Sequence, residues 1–190
     1  MNYSELSFLI LAGGKSRRMG TDKADLVYHG HTFLETLIEK ARKMGFTDII
    51  ISGYPHEISG ITPVADELAG RGPLGGMYSC FKKAKNKYCF IVCVDVPQLV
   101  EDTIFSLIDF HMKEKNEITL LSQNGKIEPL IGVFPTSSYE KILPIIRDHS
   151  AKVFRLIDQY DYKIFSVNDE TKTMANINTP EDYQQILKKP

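Results

Sequence analysis

Hydrophobic residues in this chain form short continuous runs that alternate with longer segments of helical periodicity. Continuous apolar runs of this length predict strands that are buried on both faces. Strands are predicted at Ser7–Leu11, Asp48–Ser52, Ile61–Ala65, Tyr88–Val94, Glu117–Ser122, Lys126–Phe134 and Lys163–Val167, with a short extended piece at Leu26–Tyr28. Helices are predicted at Thr32–Met44, Pro73–Lys83, Glu101–Lys113, Ser137–His149, Lys152–Asp158 and from Thr179 onward. The alternation is typical of an α/β fold with helices on both faces of a sheet.

Turn and cap residues mark several boundaries between these elements. Asn124–Gly125 separates two predicted strands and is typical of a tight hairpin turn. The run Thr179–Asp182 predicts a capping box at the start of the last helix. Pro144 should kink or split the helix that contains it, and Glu101 or Asp102 is expected to cap the helix that begins there.

Length and composition describe an ordinary globular protein. The 190 residues suffice for one domain with a full core, so we expect a single domain over residues 1–190. The net charge of −1 disfavours extended nucleic-acid binding, which usually requires a basic protein. Basic residues interrupt the first apolar run, and no run reaches the length of about 20 residues that spans a membrane, so neither a signal peptide nor membrane association is expected. The three cysteines lack Cys-x-x-Cys spacing, which favours reduced thiols in a cytoplasmic protein over a zinc site.

The first strand leads into a loop that is rich in glycine and cationic residues, over residues 12–24. Glycines allow successive backbone N–H groups to point into one concavity, and Arg and Lys complement phosphate oxygens. We therefore expect the amides of Gly13 and Gly14 to hold phosphates, with Arg17 and Lys23 neutralising their charge. The spacing matches neither a P-loop nor the Gly-x-Gly-x-x-Gly motif of dinucleotide-binding folds, so a Rossmann dehydrogenase is excluded.

Asp95 follows the almost wholly apolar strand that is predicted at Tyr88–Val94. Ligands of open α/β sheets bind at the carboxyl ends of the strands, and Pro97 stops this strand just beyond the carboxylate. Mg²⁺ prefers a few carboxylate oxygens together with water and substrate phosphates. The sequence thus predicts Asp95 as the ligand of a catalytic Mg²⁺.

Two further segments allow either a structural or a functional interpretation. Gly72–Gly76 surrounds the start of a predicted helix, where glycines permit either close helix–sheet packing or the approach of a ligand to the helix N-terminus. Asn176 and Asn178 precede the last helix, where they either order a turn or contact an acceptor substrate.

The motif Leu11–Ala24 resembles the opening motif of the molybdenum cofactor guanylyltransferases, which are nucleotidyltransferases. Gly14 and the Gly-x-Asp-Lys run at Gly20–Lys23 favour this guanylyl branch over the cytidylyl and sugar branches. The resemblance extends over nearly the whole chain, through Gly72–Met77, Asp95–Pro97 and Asn176–Glu181. It implies a three-layer αβα sandwich of the nucleotide-diphospho-sugar transferase type, with a mostly parallel, Rossmann-like sheet that contains one antiparallel strand.

The resemblance also implies a reaction, a division of the chain and a set of site residues. GMP would pass from GTP to the phosphate of molybdenum-bound molybdopterin, with the N-terminal half binding the nucleotide and the C-terminal half the acceptor. Arg17, Lys23 and Asp95 would be catalytic, with Mg²⁺ on Asp95. Substrate contacts would come from Leu11, Ala12, Gly13, Gly14, Ser16, Lys23, Ser52, Asp66, Gly75, Asp95, Asn176 and Asn178. Protein partners would be other molybdenum-cofactor biosynthesis proteins or the molybdoenzymes that accept the product.

The chain departs from the family pattern at three positions. Val94 stands where the family has Cys, Ser52 where many members have Asn, and Glu128 where many have His. The last two changes affect the expected contacts to the base and to the acceptor. The alternatives to the guanylyltransferase are a related transferase with another base or acceptor, such as a cytidylyl or sugar-phosphate enzyme, and a non-catalytic nucleotide sensor.

Overall fold

The computed structural model describes residues 5–13, 22–68, 70–148, 152–168 and 176–188. Its strands are β1 (Leu6–Leu11), β2 (Val27–Tyr28), β3 (His31–Thr32), β4 (Asp48–Ser52), β5 (Thr62–Val64), β6 (Tyr88–Cys93), β7 (Ile118–Gln123), β8 (Lys126–Pro135) and β9 (Tyr162–Val167). Its α-helices are α1 (Phe33–Lys43), α2 (Pro73–Phe81), α3 (Glu101–Glu114), α4 (Tyr139–Arg147), α5 (Phe154–Ile157) and α6 (Pro180–Leu187). Short 3₁₀ turns lie at Lys23–Asp25 and Thr136–Ser138.

Seven of these strands form one sheet in the order β5-β4-β1-β6-β8-β7-β9. Strand β8 runs antiparallel to both of its neighbours, whereas the other pairs are parallel. The predicted fold class, a mostly parallel sheet with one antiparallel strand, is therefore confirmed. Strands β2 and β3 form a separate antiparallel pair beside the start of α1.

Alternation along the central strand divides the core into two layers. Every residue of β1 is buried. Phe8 faces the layer that contains Phe33, with helices α1, α3 and α6, and Leu9 faces the layer that contains Met77, with helices α2, α4 and α5. Because successive side chains of a strand point to opposite faces, a strand covered on both sides must be apolar throughout. The continuous hydrophobic runs of the sequence have this origin.

The predicted turns and caps are confirmed at two places and differ at two others. Asn124–Gly125 has both residues at positive φ, 49° and 81°, as a two-residue hairpin turn requires. Thr179–Asp182 forms the predicted capping box at α6. The prediction that Glu101 or Asp102 caps α3 is wrong, since Val100 occupies the cap and the two carboxylates lie in the first turn, where they still favour the positive end of the helix dipole. Pro144 lies inside α4 without splitting it.

None of the helices in the described part of the chain has the length and apolar character that crossing a membrane requires.

One buried histidine gives the fold a pH-dependent stability. His111 of α3 is 2% exposed, and its Nδ1 lies 2.9 Å from the hydroxyl of Thr119, which in turn contacts Asn116. The ring of Tyr88 packs edge-on against the imidazole at 4.9 Å between centroids. Burial lowers the pKa of His111 from 6.5 to about 4, because the charged form loses its hydration.

We expect the free energy of unfolding to fall as the pH drops from about 6.5 towards 4. In this pH range His111 becomes protonated in the unfolded chain but stays neutral in the folded protein. At pH 5 the loss should be about 2 kcal/mol relative to neutral pH. Urea unfolding at pH 7.5 and pH 5, followed by circular dichroism, measures it. His111→Asn should remove this part of the pH dependence, and an unchanged difference between the two pH values in that variant would contradict the assignment.

Candidate active site

A cleft of about 260 Å³ opens where strands β1, β4 and β6 end. These strands are parallel neighbours, so their carboxyl ends meet at one edge of the sheet, where α/β proteins bind ligands. The cleft is lined by Leu11, Ala12, Gly13, Lys23, Ser52, Asp66, Gly72, Pro73, Gly76, Cys93, Val94, Asp95 and Leu130. Seven of the positions predicted from the sequence are among them, namely Leu11, Ala12, Gly13, Lys23, Ser52, Asp66 and Asp95.

Lys23 and Asp95 meet inside this cleft although 72 positions separate them in sequence. Lys23 Nζ lies 3.1 Å from Asp95 Oδ2 and donates a second hydrogen bond to Asn178 Oδ1 at 2.6 Å. The two charged side chains are 15% and 20% exposed, so they are shielded from bulk water on most sides. Through these two contacts Lys23 connects its own segment with the loop after β6 and with the segment before α6.

The second oxygen of Asp95 fits a cation. Oδ1 is buried and accepts a hydrogen bond from none of the described residues. The described residues contain no cluster of three or more His, Cys, Asp or Glu side chains that could enclose a metal by themselves. A hard divalent ion that takes one carboxylate and completes its shell with water and phosphate oxygens suits this donor set.

Cys93 lies next to this carboxylate but is a poor metal ligand. Burial raises the pKa of its thiol, and the charge of Asp95 raises it further, whereas Lys23 opposes these effects. The thiol therefore stays protonated at neutral pH, and a protonated thiol neither binds metals well nor acts as a nucleophile.

Gly13 occupies a place where two backbone segments touch. Its amide and that of Ala12 donate to the carbonyl of Ser52, at 2.9 and 3.1 Å. A Cβ on Gly13 would lie 3.2 Å from Cα of Gly53, and Gly53 itself has a φ of +72°. The amide of Gly13 is thus bonded to the sheet in this structure, which differs from the predicted phosphate contact. No local pattern in the sequence indicates the role of Gly53, because the contact exists only once β1 and β4 are neighbours.

Ser52 and Asp66 form a polar wall on the side of the cleft next to α2. Ser52 Oγ donates to Asp66 Oδ1 at 3.0 Å. A Cβ on Gly76 would overlap the hydroxyl of Ser52, so this position needs glycine for close helix–strand packing. Gly72 and Pro73 at the start of α2 also line the cleft. The packing interpretation is thus confirmed at Gly76, and the approach of a ligand to this helix N-terminus stays a prediction.

The remaining predicted residues lie beside the cleft or outside the described residues. Gly75 is buried against Leu68 and does not line the cleft, in contrast to Gly76. Asn176 donates to Glu128 Oε2 at 3.4 Å, also outside the lining. Glu128 accepts a further hydrogen bond, from Lys126 at 2.7 Å. The residues Gly14, Ser16 and Arg17 lie outside the described ranges.

Comparisons with known proteins agree with this architecture. Residues 8–163 match the family described as MobA-like NTP transferase domain. A protein of Carboxydothermus hydrogenoformans named "Probable molybdenum cofactor guanylyltransferase" is 31% identical over 96% of this chain and 95% of its own length.

Solved structures of low sequence identity share the fold. Molybdopterin-guanine dinucleotide biosynthesis protein A from Archaeoglobus fulgidus has a TM-score of 0.79 at 18% identity, with 95% of this chain and 96% of the other covered. A manganese complex of a Mycobacterium tuberculosis protein has a TM-score of 0.72 at 18% identity, with coverage of 97% and 98%. The match of the family over most of the chain, together with the full-length relative, establishes that this chain belongs to the MobA-like NTP transferase family.

Proposed function

We propose that this protein transfers GMP from GTP to the phosphate of molybdenum-bound molybdopterin and thereby forms the guanine dinucleotide cofactor. The observation that carries the proposal is the Lys23–Asp95 pair in the cleft at the carboxyl end of the sheet. The name of the Carboxydothermus hydrogenoformans relative supports the choice of donor and acceptor.

In this reaction an acceptor phosphate oxygen attacks the α-phosphorus of GTP. The bond from the α-phosphorus to the oxygen that bridges it to the β-phosphorus breaks, and pyrophosphate leaves. The nucleophile is already an anion, so no general base is required, and the protein contributes alignment and charge stabilisation. Lys23 would donate to the phosphates, and Arg17 would add a second positive charge.

A divalent ion, Mg²⁺ in our proposal, would be held by Asp95 and by phosphate oxygens, and it would supply neutralisation of the phosphoryl charge. Lys23 lies close enough to exchange its contact with Asp95 Oδ2 for one with a phosphate. The buried Oδ1 leaves the carboxylate an unused acceptor for the ion.

The other predicted residues divide between the two substrates. Leu11, Ala12 and Gly13 would contact the nucleotide through their backbone. Ser52 and Asp66 would lie beside the base, since the Asp66 carboxylate can accept hydrogen bonds from the N1–H and 2-amino groups of guanine. Gly14 and Ser16 would complete the nucleotide side. Asn176 and Asn178 would adjoin the acceptor, near Leu130 on β8. The nucleotide-binding and acceptor-binding halves would then belong to one domain.

The expected setting follows from the reaction. The partners would be GTP, the molybdenum-molybdopterin cofactor, and the proteins of molybdenum-cofactor biosynthesis or the molybdoenzymes that receive the product. Neither nucleic acid nor membrane would take part. A cytoplasmic location agrees with three unpaired cysteines, Cys80, Cys89 and Cys93.

The test incubates the purified protein with GTP and Mg²⁺, with and without molybdenum cofactor, and measures pyrophosphate and the dinucleotide product by mass spectrometry. We expect pyrophosphate only when both substrates are present. A thermal-shift comparison of GTP, CTP, UTP and ATP identifies the base, and a preference for CTP or UTP would favour a related transferase instead. GTP binding without pyrophosphate release would contradict transfer and indicate a nucleotide sensor.

A further inference from the structure

Lys40 of α1 reaches the loop that begins with Asp95, although nothing in its sequence surroundings indicates a role there. Its Nζ donates to the carbonyl oxygens of Pro97 and Leu99, at 2.6 and 2.7 Å. These two carbonyls lie two and four positions after the carboxylate. One ammonium group therefore holds two backbone positions in the second half of the loop that follows β6.

The environment of this ammonium indicates that it depends on its hydrogen bonds to the two carbonyls. Burial lowers the pKa of Lys40, because the charged form loses hydration, and the neighbouring Glu101 opposes the shift. Lys40 is partly buried, and a charge that loses part of its hydration is tolerated where polar partners replace the lost water. Here the two backbone carbonyls provide these partners.

The loop is anchored by the buried side chains of Val96 and Leu99 and by a hydrogen bond from Gln98 Nε2 to the hydroxyl of Tyr28 at 2.7 Å, but its backbone has few strong hydrogen bonds of its own. It contains no strand or helix between Cys93 and Glu101. Val96 N donates to Cys93 O at 3.3 Å and Leu99 N to Val96 O at 3.2 Å, so its internal hydrogen bonds are long. Ile177 N donates to Asp95 O at 2.8 Å and fixes the near end of the loop. Lys40 fixes the far end.

We propose that Lys40 is a positioning residue that sets the orientation of the Asp95 carboxylate through the carbonyls of Pro97 and Leu99. The proposal rests on the proposed function, in which Asp95 holds a divalent ion. Groups that orient a metal ligand without touching the metal commonly change metal affinity when they are replaced.

Lys40→Met tests this role, since methionine retains most of the side-chain volume and removes the ammonium. Lys43→Met is the matched control, because Lys43 lies on the same helix and is exposed. The first readout is the dissociation constant of Mn²⁺ in the presence of GTP, measured by electron paramagnetic resonance. The second is backbone amide hydrogen exchange of residues 96–100 without ligand. Neither readout requires turnover.

We expect Lys40→Met to weaken Mn²⁺ binding about tenfold or more, with faster exchange in residues 96–100, and Lys43→Met to leave both unchanged. Lys40→Arg should restore part of the affinity. If Lys40→Met does not fold, Lys40→Gln, which keeps an N–H donor on a shorter side chain, is measured in the same way. Mn²⁺ affinity within twofold of the unmodified protein, even with a lower melting temperature, would overturn the proposal. Failure of guanylyl transfer in the unmodified protein would overturn the proposed function instead, while these two measurements would still decide the role of Lys40.

Discussion

Replacing Asp95 by asparagine should reduce metal-dependent turnover about 10³-fold or more, a loss of about 4 kcal/mol in transition-state stabilisation. Asparagine keeps the shape of the side chain but removes the charge that would hold the cation. The buried Oδ1, which has no hydrogen-bond partner among the described residues, would become part of a neutral amide. The fold should persist, because the backbone contact from Ile177 N to Asp95 O does not depend on the side chain.

The measurement is pyrophosphate release across a Mg²⁺ titration, with circular dichroism to verify folding. Asp109→Asn is the matched control, since Asp109 forms a surface ion pair with Lys113 on the outside of α3. Its activity should stay close to that of the unmodified protein, because a surface ion pair contributes at most about 1 kcal/mol to the free energy of unfolding and its loss leaves the protein folded. Retention of more than about a tenth of the turnover by Asp95→Asn at saturating Mg²⁺ would contradict its role as metal ligand, since a tenfold loss corresponds to only 1.4 kcal/mol.

Lys23→Ala should lower kcat/KM by about 10²–10³-fold, or about 2.7–4 kcal/mol, as does the loss of one preorganised donor to a developing negative charge. The ammonium already lies in the cleft, hydrogen-bonded to Asn178 and paired with Asp95. Its attraction to phosphate is strengthened by its low exposure of 15%.

Steady-state kinetics with GTP as the varied substrate measure this loss, and Lys83→Ala provides a control with an exposed lysine that does not line the cleft. Lys23→Arg should retain more activity than Lys23→Ala, because the charge is kept. A kcat/KM of Lys23→Ala within threefold of the unmodified value would be incompatible with direct contact to the phosphates.

The sequence predicts the positions of the strands and helices along the chain better than it predicts which of them are adjacent in the fold. Apolar runs such as Tyr88–Val94 were sufficient to predict strands, since β6 is buried on both faces. A carboxylate directly after such a run was also recognisable, which is why Asp95 could be placed at the ligand edge. The strand order, with β1 between β4 and β6, was not predicted, because periodicity reports burial and not the identity of the adjacent strand.

The residues that the sequence did not reveal act through long-range contacts. Gly53 must be glycine because Gly13, which follows β1, approaches it, and Lys40 gains its role only through its contacts with the loop after β6. None of these contacts has a local signature. The predicted ends of α5 differ for another reason. The predicted helix covers Lys152–Asp158, whereas α5 extends only over Phe154–Ile157. The flanking positions are exposed, so they add little of the apolar packing that stabilises a short helix.

The contact of Lys23 with Asn178 has a consequence for the folding of the chain during its synthesis. The two residues are 155 positions apart, and Tyr183 of α6 likewise donates to the carbonyl of Val27 near the beginning of the chain. A nascent polypeptide that still lacks its last helix therefore cannot assemble this corner of the cleft. Catalytic competence would arise only once the segment around Asn178 and Tyr183 has folded back onto the segment around Lys23 and Val27, so that enzymatic activity reports contacts between these two distant parts of the chain.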